Sequence, residues 1–335
     1  MTKKLFLKTI LVAVFLSIST LSMAKEAALK PIRVGVLKFG TVNWVLNVIK
    51  HHELDKKHGV DLQVTGLASK KASHVSIQGG AVDMIVSDWI WVSRQRAENR
   101  DYTFVPYSNA TGSVMVKKDS PIKTLADFEG KKLGVAGGPV DKSWLFLRAY
   151  TQKTLGKDMA EMVEPSFGAP PLLNKLAMRD EVDGALNFWH FTSKLKSAGF
   201  RPIITMPDVL KELGVERPIP IIGWVFSEEF GAKNTDVVNG FVKASEEAKI
   251  LLLESDAEWE RIRPKMKAKS DDMFINLRDA FRAGVPRCFG DEEKQAAKSA
   301  FGIVAKLGGK KLVGKSTELN DGTFWKLYQA QACSK

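Results

Sequence analysis

The stretch "IRVGVLKFGTVNWVLNVIKHHELDKKHGVDLQVTGL", residues 32–67, decides the fold. Its first six residues, 32–37, are a short apolar run that reads as a buried strand. Residues 43–57 read as a helix, and 60–67, where apolar and polar residues alternate, as a second strand. A helix of that length between two strands is the connection that parallel strands require. The rhythm continues with a helix over 69–80, stopped by Gly79 and Gly80, and a third strand over 82–87.

Near residue 113 the pattern starts again. "SVMVKKDSPIKTLADFEGKKLGVAGG" (113–138) gives a strand, a Ser-Pro turn, a short helix opening near Thr124 and a strand over 132–136. "PPLLNKLAMRD" then reads as a helix, and "VDGALNF" and "FRPIITM" as strands. In "RPIPIIGWVFSEEF" (217–230) the chain crosses back. What remains is helical: Val237, Phe241, Ala244, Ala248 and Leu251 mark one buried face, and further helices fit 256–266, 271–283, 291–306 and 322–331. A second α/β unit inserted into the first through two crossings makes two lobes around a hinge. The expected division is lobe I, residues 25–112 and 223–335 with the C-terminal helices, and lobe II, residues 113–222.

The N-terminus sets the compartment. Lys3, Lys4 and Lys8 precede and interrupt an apolar stretch, 5–21, too short to span a bilayer with ordinary flanks. Small residues at Ser22 and Ala24 predict a signal peptide cleaved after Ala24, and no cysteine follows to carry a lipid. The mature chain is expected in the periplasm. Losing the three lysines and no acids of residues 1–24 takes the formal net charge from +12 to +9. The remaining lysines are scattered among acids, as in "KASEEAK" and "DEEKQAAK", which predicts a solvated surface and, with export, argues against nucleic acid. Cys288 and Cys333 either pair, tying down the C-terminal segment, or stay free.

Chemistry-bearing motifs are few. His51, His52 and His58 lack the spacing of a zinc helix, and no Gly-x-Ser-x-Gly or His-Glu-x-x-His occurs. "GKKLVGKS" (309–316) satisfies the P-loop pattern, but a P-loop needs a strand before it and a helix after. Here a predicted helix precedes and a turn follows, so no nucleotide site is expected, and no metal or cofactor.

Four segments carry a resemblance: "ELDKKHGVDLQV" (53–64), "SHVSIQGGAVDMIVSD" (73–88) with Gly80, Val82 and Asp83, "SPIKTLADFEGKKLGVAGG" (120–138) with Leu125, Asp127, Gly130, Lys131, Lys132 and Gly134, and the helix holding "KASEEAK". They are similar to the solute-binding proteins of ABC importers for sulfonates, nitrate, taurine and thiamine-precursor pyrimidines, the SsuA/THI5-like family. The likeness implies an α/β, type II periplasmic binding protein fold with a helical C-terminal extension. It also implies a monomer that closes on one small molecule and delivers it to an inner-membrane permease. Relatives that became pyrimidine synthases carry a cysteine-rich motif absent from this sequence. An enzyme on the same scaffold, or a sensor that presents its ligand, stays open as the alternative.

Open α/β sheets bind ligands beyond the carboxyl ends of their strands, so five loops are expected to line the cleft. They offer Lys38, Thr41, Asn43 and Trp44; Ser87, Asp88, Trp89 and Trp91; Asn109 and Thr111; Asp141, Lys142, Ser143 and Trp144; and Asn187, Phe188, Trp189 and His190. Five of the eight tryptophans fall there, and aromatic walls suit a ring or an organic cation, the alternative for each being the core. Charge points both ways. The helix start after Gly137-Gly138, with Lys38 and Lys142, attracts an anion. Asp141 repels one or caps the helix, and Asp88 suits a cation. The expected solute is ring-bearing, nitrogenous or sulfonate-like, clamped by Trp89, Trp144 and Trp189 and oriented by Asp88, Asn187 and His190. His190 reads equally as a structural histidine.

Overall fold

The computed structural model describes residues 28–328; the expected signal peptide and Cys333 lie outside them. Ten strands form two sheets. The first holds β1 (Lys30–Leu37), β2 (Val60–Leu67), β3 (Met84–Ser87), β4 (Tyr102–Ser108) and β10 (Ile222–Ser227), in the order β2-β1-β3-β10-β4. The second holds β5 (Ser113–Lys117), β6 (Lys132–Ala136), β7 (Glu164–Gly168), β8 (Gly184–Asn187) and β9 (Phe200–Thr205), in the order β7-β6-β8-β5-β9. In the first sheet β1 runs parallel to β2, from Lys30 opposite Val60 to Leu37 opposite Leu67, and parallel to β3. One strand in each sheet runs against its neighbours: β10 beside β3 and β4, and β5 beside β8 and β9. These are the two strands that the chain enters directly after leaving the other sheet. At the first crossing a β-carbon on Gly112 would lie 1.6 Å from the Asn187 carbonyl oxygen, so only glycine fits.

Helices cover the sheets. Around the first are α1 (Val42–His51), α2 (Leu54–Lys57), α3 (Lys70–Gln78) and α4 (Trp89–Arg96); around the second, α5 (Lys142–Leu155), α6 (Met159–Met162), α7 (Pro170–Met178), α8 (Trp189–Ser197) and α9 (Met206–Glu212). Then come α10 (Glu228–Lys233), α11 (Thr235–Glu254), α12 (Asp256–Met266), α13 (Asp271–Ala283) and α14 (Asp291–Val313). The C-terminal helices touch both units: α13 packs on α8, and α14 on both α4 and α5.

Four expectations need correction. The single helix over 43–57 is broken at Glu53, whose φ of 51° is left-handed, giving α1 and α2. Trp89 and Trp91 lie on α4 rather than on a loop. α14 continues past residue 306 to Val313, kinked at Gly309. Residues 322–328 are not helical: the Trp325 amide donates to the Phe104 carbonyl, beside β4, and 329–331 lie outside the described residues. The "GKKLVGKS" segment therefore begins at a helix kink, not after a strand.

The core has two main bodies. One joins α1, α11 and α12 to the first sheet through Trp44, Trp224, Phe241 and Trp259. The other runs through both units: Trp89 and Phe104 from one and Trp144 and Val209 from the other meet Ala297, Ala300 and Phe301 of α14. Each large side chain so buried contributes about 2–3 kcal/mol of transfer free energy.

Candidate binding site at the seam between the units

Ser87 ends β3, and Asp88 takes the N-cap of α4, its Oδ1 accepting from the Trp91 amide at 2.9 Å. Asp88 is only 4% exposed. A buried carboxylate costs several kcal/mol unless it is paired, and two lysines supply the pairing. Lys70, at the start of α3, donates to Asp88 Oδ2 at 2.7 Å, and Lys142, at the start of α5, donates to the same oxygen at 3.1 Å. Lys70 belongs to the same unit as Asp88, whereas Lys142 comes from the opposite one. The second contact therefore closes the seam. Burial by itself would push the Asp88 carboxyl up, but Lys142 and Lys70 together hold it well below the usual carboxylate range. The Lys142 amine is correspondingly raised, because Asp88 and Asp141 outweigh its burial.

His74, one turn after Lys70, stacks on Trp91 with centroids 4.1 Å apart and planes 12° from parallel. Its Nε2 lies 2.9 Å from Ser87 Oγ. Serine beside histidine is the geometry of a nucleophile and its base. Here burial, helped by Lys70, pushes the imidazole down to about 4, and Ser87 is 3% exposed. So weak a base takes no proton near neutral pH, and the pair fixes the end of β3 instead.

Across the seam, Gly137 and Gly138 turn with φ of 85° and 100°. A β-carbon on Gly137 would sit 2.5 Å from Asp141 Oδ2, so glycine lets that carboxylate fold beneath the turn. Asp141 caps α5, its Oδ1 accepting from the Ser143 amide at 3.0 Å. Burial raises the Asp141 carboxyl, with Lys142 pulling the other way. The helix start expected to attract an anion is thus filled by the chain's own carboxylate, and the positive charge at the seam comes from lysines.

The tryptophans divide. Trp89 and Trp144, each 2% exposed, lie in the core shared with α14. Trp89 packs on Phe301, and its Nε1 donates to the Pro220 carbonyl at 2.7 Å. The clamp expected of Trp89, Trp144 and Trp189 is not formed, because two of the three rings are buried elsewhere, Trp89 against Phe301 of α14 and Trp144 against Phe167 of β7. Trp189 is half-buried and meets Trp44 edge-on across the seam, centroids 6.0 Å apart, while Trp44 also packs on Trp259. Trp91 is half-buried beside Asp88.

The expected polar residues divide as well. Asn187 spends its amide inside its own unit, donating to the Pro170 carbonyl at 2.9 Å and to Asn174 Oδ1 at 2.8 Å. Asn43 donates to the Leu37 and Gly40 carbonyls, both at 2.8 Å, and shapes the loop after β1. Lys38 is exposed on that loop; Thr41 precedes α1 and Ser143 lies in the first turn of α5, both half-buried. Asn109 and Thr111 line a cavity of about 430 Å³ together with Leu210, Val215, Ile219 and Val285, none of which belongs to the Asp88 cluster. His190 Nδ1 is buried without a partner, and burial, then Lys194, pushes its imidazole down to about 4. His52 and His58 meet Glu258 and Glu247 at 3.2 and 2.9 Å. Among the described residues no group of three or more His, Cys, Asp or Glu is placed to hold a metal. Lys70 and His74 were not anticipated, and nothing in "SKKASH" distinguishes them from solvated helix residues.

Two mixed five-stranded sheets with flanking helices, joined twice beside a charged seam, match the periplasmic binding protein fold. The chain resembles the periplasmic aliphatic sulphonate binding protein SsuA of Escherichia coli, with TM-score 0.68 and 16% identity over 91% of this chain and 97% of that one. It resembles the alkanesulfonate-binding protein SsuA of Xanthomonas axonopodis pv. citri bound to MOPS, with TM-score 0.67 and 15% identity over 89% and 99%. It also resembles the Candida albicans CA3427 gene product, described as having the generic periplasmic binding protein fold, with TM-score 0.56 and 11% identity over 84% and 90%. At these identities the likeness establishes the fold. The profile of the NMT1/THI5-like family matches residues 54–258, and the chain belongs to that family. No curated protein sequence matches it.

Proposed function

We propose that this protein is the solute-binding component of an ABC importer, exported to the periplasm after loss of residues 1–24. It acts as a monomer that captures a small organic solute between lobe I (25–112 and 223–335) and lobe II (113–222) and presents it to the permease. The observation that carries the reading is the Asp88–Lys142 contact, which joins the carboxyl end of β3 to the start of α5, the helix that follows β6. Ligands bind there in open α/β sheets, and a charged group on each side lets a solute bias the open–closed equilibrium. Lys70 and Lys142 both donate to Asp88, while Asp141 is held on the cap of α5. Within the ring-bearing, nitrogenous and sulfonate-like range, a pair of ammonium donors on one oxygen favours a solute with an anionic end that can compete for them, in keeping with the sulfonate-binding neighbours. The seam's titratable groups are engaged with one another, which supports a binding role over catalysis.

The test is a thermal-shift screen of protein freed of ligand by unfolding and refolding, against sulfonates, nitrate, aromatic carboxylates, pyrimidines and quaternary amines. Solute at about a hundred times its dissociation constant stabilises by about 2.7 kcal/mol, a rise of roughly 4 °C at this size. Hits among anionic organic compounds, lost in Lys142→Met, support the reading. Hits confined to quaternary amines contradict it.

A further inference from the structure

Lys249 lies within α11 and is 6% exposed. Among the described residues no carboxylate oxygen comes within 4 Å of its ammonium. Its one hydrogen bond to the described residues is long, 3.5 Å to the Tyr107 carbonyl, and Nζ stands 5.3 Å over the Tyr107 ring. Of the two acids just before it, Glu247 meets Lys57 and His58, and Glu246 has Oε1 accepting from the Tyr328 hydroxyl at 2.8 Å. A buried ammonium without a counter-charge costs several kcal/mol, which nearby anions relieve. Beside Lys249 is a cavity of about 120 Å³, whose charged and polar lining is Lys249, Arg287, Glu246, Tyr328 and the disulfide-bonded Cys288. Two cations face one carboxylate there, and neither cation pairs with an acid among the described residues.

We propose that this cavity is a second binding site, separate from the seam, that takes a small monovalent oxyanion of the carboxylate class between Lys249 and Arg287. The volume equals that of about four waters at ~30 Å³ each, which suits an anion of formate or acetate size. One bound negative charge balances the charges of the described lining residues, Lys249, Arg287 and Glu246. The neighbouring Gly284 carbonyl accepts from the Asn109 amide at 2.8 Å and from Ser108 Oγ at 3.3 Å, so the occupied loop is the one pinned to the first crossing. Burial lowers the Lys249 amine to about 8, with Glu246 offsetting part of that. An anion in the cavity favours the ammonium and raises the value.

The test follows the Lys249 side chain by heteronuclear NMR across its titration, in formate, acetate or chloride at one ionic strength. Acetate or formate is expected to raise the midpoint by about one pH unit, the shift produced by a tenfold preference for the charged form, with chloride giving none. Lys249→Met should abolish the saturable rise of melting temperature with acetate, and Lys142→Met at the seam should retain it. An apolar replacement for a buried charge is commonly tolerated; should Lys249→Met fail to fold, the wild-type titration decides alone. A midpoint unmoved by both carboxylates, or moved equally by chloride, overturns the proposal. Neither result bears on the seam, which contains none of these residues.

Discussion

Asparagine in place of Asp88 removes the charge at the seam with little other change. It caps helices about as well as aspartate, so α4 keeps its start, and the side-chain volume is nearly the same. Lys70 and Lys142 both point at Oδ2, 2.7 and 3.1 Å away, and would then face each other across a neutral amide. Breaking a buried pair costs about 3–5 kcal/mol. The Lys70 side chain is 56% exposed and can turn outward, but that of Lys142, at 18%, can leave only by opening the seam. The lower end applies, about 3 kcal/mol, and urea unfolding at neutral pH measures it. The second readout has the opposite sign. Without Asp88 as competitor, an anionic solute gains both lysines and should bind about tenfold more tightly, a gain of about 1.4 kcal/mol. A variant within about 0.5 kcal/mol of wild type, a difference ordinary for surface substitutions, or one that binds the anion more weakly, would refute the reasoning.

The two tryptophans of α4 should separate stability from binding. Trp89→Ala empties a site between Phe301 and Pro220 and is expected to cost about 3–5 kcal/mol with the folded fraction's solute affinity unchanged; calorimetry that finds affinity lost would return this ring to the site. Trp91→Ala, half-buried beside Asp88, should weaken binding with the smaller loss of stability. Gly112→Ala forces a β-carbon against the Asn187 carbonyl, 1.6 Å away, and a cost above about 3 kcal/mol is expected; an unchanged melting temperature would mean that the crossing yields. His190, with its pKa lowered from 6.5 to about 4, binds a proton less readily folded than unfolded. Stability from this group is complete above about pH 6.5 and declines as pH falls from there through 4, by at most about 3 kcal/mol. Urea midpoints for wild type and His190→Asn at neutral and acidic pH measure it, and equal slopes would exclude the histidine as the cause.

Much of the fold was legible because local pattern and tertiary role agree. The helices at 256–266 and 271–283 stand where periodicity puts them, since each buries the face its apolar residues define, and β2 at 60–67 does so through Val60 and Leu62 while Val64 stays exposed. The helix over 43–57 breaks because Glu53 goes left-handed, which no propensity of glutamate foretells. β4 escaped notice: it is a continuously buried strand at a sheet edge, with polar Thr103 and with Pro106 inside, where the lost amide is tolerated. The site was legible only in its addresses. Loops at strand ends brought Asp88 and Lys142 together, but 54 residues separate them in sequence, and only the tertiary arrangement puts them on one oxygen. Tryptophan count misled for the converse reason: Phe301 of α14, from the far end of the chain, packs on Trp89, and Phe167 of β7 on Trp144.

The most direct test of the central claim is a calorimetric titration of ligand-free protein with an aliphatic sulfonate and with MOPS, in wild type and in Lys70→Met/Lys142→Met. The account predicts one saturable site in the wild type and at least about a hundredfold weaker binding in the double variant, equivalent to about 2.7 kcal/mol. Equal affinity in both proteins would contradict a solute site at the Asp88 seam.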